Sequence, residues 1–175
     1  GYCLFNDVAV AARALLAEGA ISRMLVVDLD VHQGDGTAAI FASDPRVFTF
    51  SMHAARNFPA RKVAGDLDIE LADGTEDAAY LDTLGAVLPG LVERVRPQLV
   101  FYIAGVDPHR DDRLGRLSLT DEGLARRDAF VLDTVLGRGA PVAGVLGGGY
   151  DRDIDRLARR HATLHRAAAQ AWARW

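Results

Sequence analysis

Three short stretches concentrate residue types that can do chemistry: Asp28-Leu29-Asp30-Val31-His32, Gly105-Val106-Asp107 and Gly147-Gly148-Gly149-Tyr150. Alternate side chains of an extended strand point to one face, so Asp28, Asp30 and His32 can project together. A neutral imidazole beside carboxylates suits zinc or a similar divalent cation. A catalytic site of that kind uses three protein ligands and leaves one position open. Asp30 and His32 supply two, and Asp107, which follows the apolar run 99–104 through a turn at Gly105, is the natural third. An Asp-x-His pattern alone recurs by chance. Acids gathered after a buried strand are more telling, because desolvated carboxylates need a cation or donors.

Tyr150 carries a different chemistry. A run of glycines after a buried strand lets backbone approach a ligand closely and presents the phenol that follows. A phenol stays protonated at neutral pH and can donate to a developing oxyanion. A packing tyrosine at a helix start, or a phosphate-cradling loop, would use similar residues. The phosphate reading is the weaker, for want of a G-x-G-x-x-G pattern or a following Lys-Ser/Thr.

Strand-like and helix-like segments alternate, which predicts an α/β fold built on an open parallel sheet with helices on both faces. A helix capped at Asn6 or Asp7 and stopped at Gly19 precedes a strand at 24–30, whose continuous apolar run suits burial on both faces. A short helix at 37–42, a strand at 47–52 and a long loop at 53–74 follow. Thr75 is read as the N-cap of a helix with a stripe of Leu81, Leu84, Leu88, Leu91 and Val95, ended by Pro97. A strand at 99–104, a helix capped by Thr120, a strand at 142–146 and a helix at 153–173 complete a single domain spanning 1–175. In open parallel sheets ligands bind outside the carboxyl ends of the strands, and that is where Asp28, Asp30, His32, Ser51, His53, Asp107 and Tyr150 fall.

Composition removes several classes of function. A net charge of -4 without a basic patch argues against a nucleic-acid surface. Arg126-Arg127 and Arg159-Arg160 lie in helical patterns and are read as solvated faces. One cysteine, Cys3, rules out an intrachain disulfide framework and is expected to be a small buried hydrophobe. No apolar run approaches the roughly 18 residues of a membrane span, and no signal peptide opens the sequence. A cytoplasmic location is therefore expected.

Taken together the motifs resemble the histone deacetylase family. The residues that carry the likeness are Gly1-Tyr2-Cys3-Leu4-Phe5-Asn6-Asp7, the stretch from Val27 through Asp28-Leu29-Asp30-Val31-His32-Gln33-Gly34-Asp35-Gly36 to Thr37, Ala104-Gly105-Val106-Asp107 and Gly147-Gly148-Gly149-Tyr150. Gly74-Thr75-Glu76-Asp77 and Asp112-Arg113-Leu114-Gly115 look closest to the class IV and bacterial branch. The resemblance implies an arginase/deacetylase-like fold and zinc held by Asp30, His32 and Asp107. It makes Tyr150 the transition-state tyrosine and Asp28 and Asp35 the carboxylates that orient a histidine pair. It also implies a structural potassium ion bound through Asp28, Ser51, Met52 and the backbone of Asp30 and His32. Tyr2 and Phe58, with Gly148 and Gly149, would line the path of an acyl-lysine stem.

The family's paired histidines precede the motif with which this sequence opens, and none of its five histidines adjoins another. The chain is thus expected to be the C-terminal portion of such a domain, with the N-terminal part missing, and His53 to be a loop or supporting residue rather than a base. The expected activity is zinc-dependent hydrolysis of an acetamide on a lysine of a histone or other protein, or on a polyamine. An arginase-like hydrolase with two manganese ions, and a metal-binding fragment without turnover, are the competing expectations.

Overall fold

The computed structural model of the protein describes residues 3–174. Its centre is a five-stranded sheet in the order β3-β2-β1-β4-β5. The strands are β1 (Met24–Asp28), β2 (Val47–Ala54), β3 (Leu67–Leu71), β4 (Leu99–Ala104) and β5 (Val142–Leu146), each parallel to its neighbours. Met24 pairs with Val47 and Leu99, the first residues of β2 and β4, and Asp28 lies opposite Ser51 on one side and Ile103 on the other. That alignment gathers the strand-end residues along one edge.

Two apolar layers explain why the sheet is stable. Helix α1 (Asp7–Ala17) buries Val8, Ala9, Ala12 and Leu16, and with Phe41 of α2 (Asp35–Phe41) it packs on Met24, Val26, Val47 and Phe101. On the opposite face α3 (Asp77–Val95), α4 (Asp121–Leu136) and α5 (Ile154–Trp172) bury Tyr80, Leu84, Leu88, Leu124, Val131 and Leu164 against Leu25, Val27, Phe50, Val100 and Tyr102. Alternation along β1 sends Met24 and Val26 to one layer and Leu25 and Val27 to the other, so the strand reads as an unbroken apolar run. The predicted architecture, helices on both faces of an open parallel sheet, is the one observed.

The helix starts obey simple capping chemistry. The Asn6 side chain accepts from the Ala9 amide, Thr120 from Gly123, and Asp153 from Arg156. Each satisfies a backbone donor that the first helical turn leaves unpaired.

Several expectations need correction. The stretch 53–74 is not simply a loop. β2 continues through His53 to Ala54, and Leu67–Leu71 forms edge strand β3, pairing Phe50 with Leu67. Its five residues are too few for alternation to stand out among Asn, Pro and Gly. Thr75 is not the cap of α3; its hydroxyl bonds the Ala72 carbonyl, and Glu76 occupies the cap position without a side-chain bond. Cys3 is exposed rather than buried. Arg127 and Arg160 are not solvated: both are buried, and carboxylates receive them.

Candidate metal centre

β1 ends at Asp28, and the chain continues through Asp30 and His32 across the sheet edge. β4 ends at Ala104, and a turn brings Asp107 to the same place. One ligand atom each from Asp30, His32 and Asp107 can be chosen so that all lie within 4.8 Å of one another, the one such group of three or more found among the described residues. His32 Nδ1 is 3.0 Å from Asp30 Oδ1 and 3.1 Å from Asp107 Oδ2.

Backbone donors aim these carboxylates. The Val31 amide donates to Asp107 Oδ1 at 2.8 Å, which ties the β4 turn to the β1 extension. The Gly148 amide donates to Asp30 Oδ2 at 2.6 Å, and the His32 amide to Asp30 Oδ1 at 2.9 Å. Asp28 Oδ1 accepts from the Asp30 amide at 3.1 Å.

The electrostatics of this pocket favour a cation. Burial works against a charged His32, yet hydrogen bonds to Asp107 and Asp30 prevail and lift it to about 10. Burial, then the charge of Asp30, pushes Asp107 up to about 7 and raises Asp28 well above the usual carboxylate range. Asp30, despite burial, is held low by the His32 and Gly148 bonds. A divalent cation held among these groups would relieve the repulsion between the two carboxylates. One nitrogen and carboxylate oxygens are a donor set that suits zinc. The residues fit the metal.

Tyr150 stands beside this cluster, its ring edge-on to His32 with centroids 6.4 Å apart. Its backbone is pinned on both sides: its amide donates to Asp112 Oδ2 at 2.6 Å, and its carbonyl accepts from the Arg113 amide at 3.0 Å. Gly148 must be glycine for steric reasons, because a methyl group there would overlap the Asp107 carboxylate. Its amide is engaged by Asp30, while Gly149 packs against Val106, Leu157 and His161.

The remaining predicted residues are placed as follows. Ser51 is buried on β2, 2.9 Å from His53 Nδ1, and its hydroxyl accepts from the Gly34 amide at 3.3 Å. Asp28 lies against Gly34 on that side, and Met52 is buried in the core. His53 is fully buried, and burial pushes its imidazole below the usual range. Asp35 begins α2 and is not part of the three-ligand group. Phe58 is exposed on the loop that follows β2 and precedes a cis proline. Tyr2 lies outside the described residues.

Two supporting residues escape a reading of motifs alone. Asp112 lies within a stretch that resembles the family, yet nothing in its spacing marks it as the anchor of Tyr150. Arg127 falls on the inward stripe of α4, three residues after Leu124 and four before Val131, and that spacing is the signal that could have found it.

Comparison with known proteins agrees with this geometry. Residues 1–166 match the histone deacetylase domain, and the chain belongs to that family. An uncharacterized protein of Picosynechococcus is 53% identical over 98% of this chain and 57% of its own length. A probable deacetylase of Methanothermobacter thermautotrophicus is 34% identical over 86% of the chain and 48% of its own. The fold matches acetylpolyamine aminohydrolase from Burkholderia pseudomallei with a TM-score of 0.81 and 26% identity, over 95% of this chain and 50% of that one. It also matches the histone deacetylase Clr3 at 0.77 and 26%, over 95% of this chain and 30% of that one. The architecture is thus arginase/deacetylase-like, and the chain spans about half the length of the curated relatives it matches.

Proposed function

We propose that this protein is a zinc-dependent hydrolase that removes acetyl groups from lysine side chains of histones or other proteins, or from polyamines. The observation that carries the reading is the convergence of Asp30, His32 and Asp107 on the strand-end edge, in a chain of the deacetylase family. When bound, zinc supplies Lewis-acid polarisation of a carbonyl and activation of water. Asp30, His32 and Asp107 would hold it, with the carboxylates already aimed by backbone amides.

Tyr150 would donate a hydrogen bond from its phenol to the oxyanion that develops on the acyl oxygen. Its position beside His32, on a turn fixed by Asp112 and Arg113, supports that role. Asp28 and Asp35 would orient the family's histidine pair, which is not among the residues of this chain. Phe58, Gly148 and Gly149, with Tyr2, would line the path of the substrate stem. A structural potassium ion would sit by Asp28, Ser51 and Met52, where Asp28 and Ser51 are buried register partners on adjacent strands.

The test is hydrolysis of an acetyl-lysine peptide and of an acetylpolyamine by the full-length protein, with zinc content measured alongside. Tyr150→Phe is expected to keep one zinc per chain and lose roughly 100- to 1,000-fold in kcat, the usual effect of deleting one oxyanion donor. Full turnover by that variant overturns the assignment. Two tightly held manganese ions per chain would point to arginase-like chemistry, and zinc binding without turnover to a non-catalytic domain.

A further inference from the structure

Beyond the Leu29 amide, which bonds the Ile103 carbonyl at 3.1 Å, the ladder between β1 and β4 runs out. The carbonyls of Leu29 and Gly105, just past the ends of β1 and β4, are both acceptors, and two acceptors cannot bond each other. The Arg127 guanidinium lies between them. Its Nη1 donates to the Gly105 carbonyl at 2.7 Å and to the Leu29 carbonyl at 3.3 Å. Asp30 directly follows Leu29, and Asp107 is two residues past Gly105.

The rest of the guanidinium is fixed as firmly. Nε and Nη2 both donate to Asp128 Oδ1, at 3.0 and 2.8 Å, and the Tyr102 hydroxyl of β4 donates to the same oxygen at 2.6 Å. The helix that carries the arginine is anchored in turn, since Thr120 at its cap donates through its amide and hydroxyl to Asp77 of α3. Arg127 is 0% exposed and Asp128 1%. A buried ion pair of this kind adds little net stability over an apolar pair of the same volume. What an apolar pair could not do is hold two carbonyls together.

We propose that Arg127 is a positioning residue of the metal centre: by bridging the Leu29 and Gly105 carbonyls it sets the separation of Asp30 and Asp107 and so the affinity for the metal. The inference rests on the metal-centre reading above. A planar fork suits the task, because Nε and Nη2 hold Asp128 while Nη1 spans the two carbonyls, and a lysine ammonium, with all its donors on one atom of a flexible stem, does not reproduce that division. Partners that orient metal ligands typically change metal affinity about 10- to 100-fold when altered.

The experiment is zinc titration of the metal-free full-length protein against a chromophoric chelator, with unfolding by urea recorded for each variant. The variants are Arg127→Lys, the charge-balanced pair Arg127→Met with Asp128→Asn, and Arg126→Met on the exposed neighbour as control. The expected result is one zinc per chain throughout, with affinity weakened about 10- to 100-fold in the double variant, less in Arg127→Lys, and unchanged in the control. A cobalt-substituted Arg127→Lys protein should also show an altered ligand-field spectrum, which lost stability alone would not produce. A folded double variant with undiminished zinc affinity overturns the inference. If that variant does not fold, Arg127→Lys with the affinity and cobalt spectrum of the unaltered protein overturns it. Failure of the unaltered protein to bind zinc defeats the metal-centre reading itself, and this inference with it.

Discussion

β1 and β5 both deliver chemistry to the same edge of the sheet, but they are held in opposite ways. All five residues of β1 are buried, and the strand is paired on both sides. β5 pairs with β4 alone among the described residues and is half open, with Leu146 51% exposed. The acids and imidazole that follow β1 extend from a strand that packing fixes on both faces, and backbone amides then aim their carboxylates. The glycine turn after β5 is positioned by explicit polar bonds: Gly148 to Asp30 and to Val106, and Tyr150 to Asp112 and Arg113. One edge is therefore built by two means, and damage to each should leave a different signature.

The largest effect should come from the ligands that follow the central strands. Asp107→Asn removes a charge that the pocket arranges around a cation, and is expected to abolish tight zinc binding and turnover together in a titration and a deacetylase assay. Retained stoichiometric zinc would break the contrast at its root. Next come the two strands themselves. Leu25→Ala, in the middle of the buried layer, should cost about 2–5 kcal/mol in urea unfolding. Leu146→Ala on β5 should stay within about 0.5 kcal/mol. Equal losses would mean that β5 is as tightly packed as β1.

A fourth variant separates the phenol from the metal. Asp112 accepts from Tyr150 through one oxygen and from Leu114 and Gly115 through the other, each at 2.8 Å or less. Asparagine offers one acceptor only, so Asp112→Asn should lower kcat roughly tenfold while zinc affinity holds, given about 1.5–3 kcal/mol for a bond to a charged group. A parallel fall in zinc affinity would show that the turn and the ligands are one unit.

The smallest effect lies far from the site, where Asp44 joins Arg46 at the start of β2 to Arg13 of α1. Hydrogen bonds from Arg46 hold Asp44 down at about 2, below its unfolded value near 3.9. The stabilisation is complete above about pH 4 and is lost as pH falls through 2. Asp44→Asn should therefore weaken the fold slightly at neutral pH and flatten its acid unfolding in that window, measured by circular dichroism.

Legibility from sequence followed the same division. β1, β4 and the long helices carry long apolar patterns and were readable, as were the caps at Asn6 and Thr120, where a short polar residue precedes an apolar stripe. Asp30, His32 and Asp107 stood out because acids and an imidazole follow buried strands. β3 was hidden because an edge strand of five residues needs little apolar periodicity to pair. The burial of Arg127 and Arg160 is not legible in the sequence because charge is ordinarily solvated; only the tertiary placement of carboxylates and strand-end carbonyls makes it affordable. Cys3 is exposed because α1 turns Val8, Ala9 and Ala12 inward and leaves residues 3–5 outside that layer.

The meeting of Gly105 with Gly147 and Gly148 has a consequence for how such a site could diversify. A methyl group at any of these positions would collide with Asp30, with Asp107 or with the facing backbone. Mutation has no room to act on the inner wall. Variation is freer in the exposed parts of 56–61 and 110–116, whose side chains can change without displacing the carboxylates of Asp30 and Asp107.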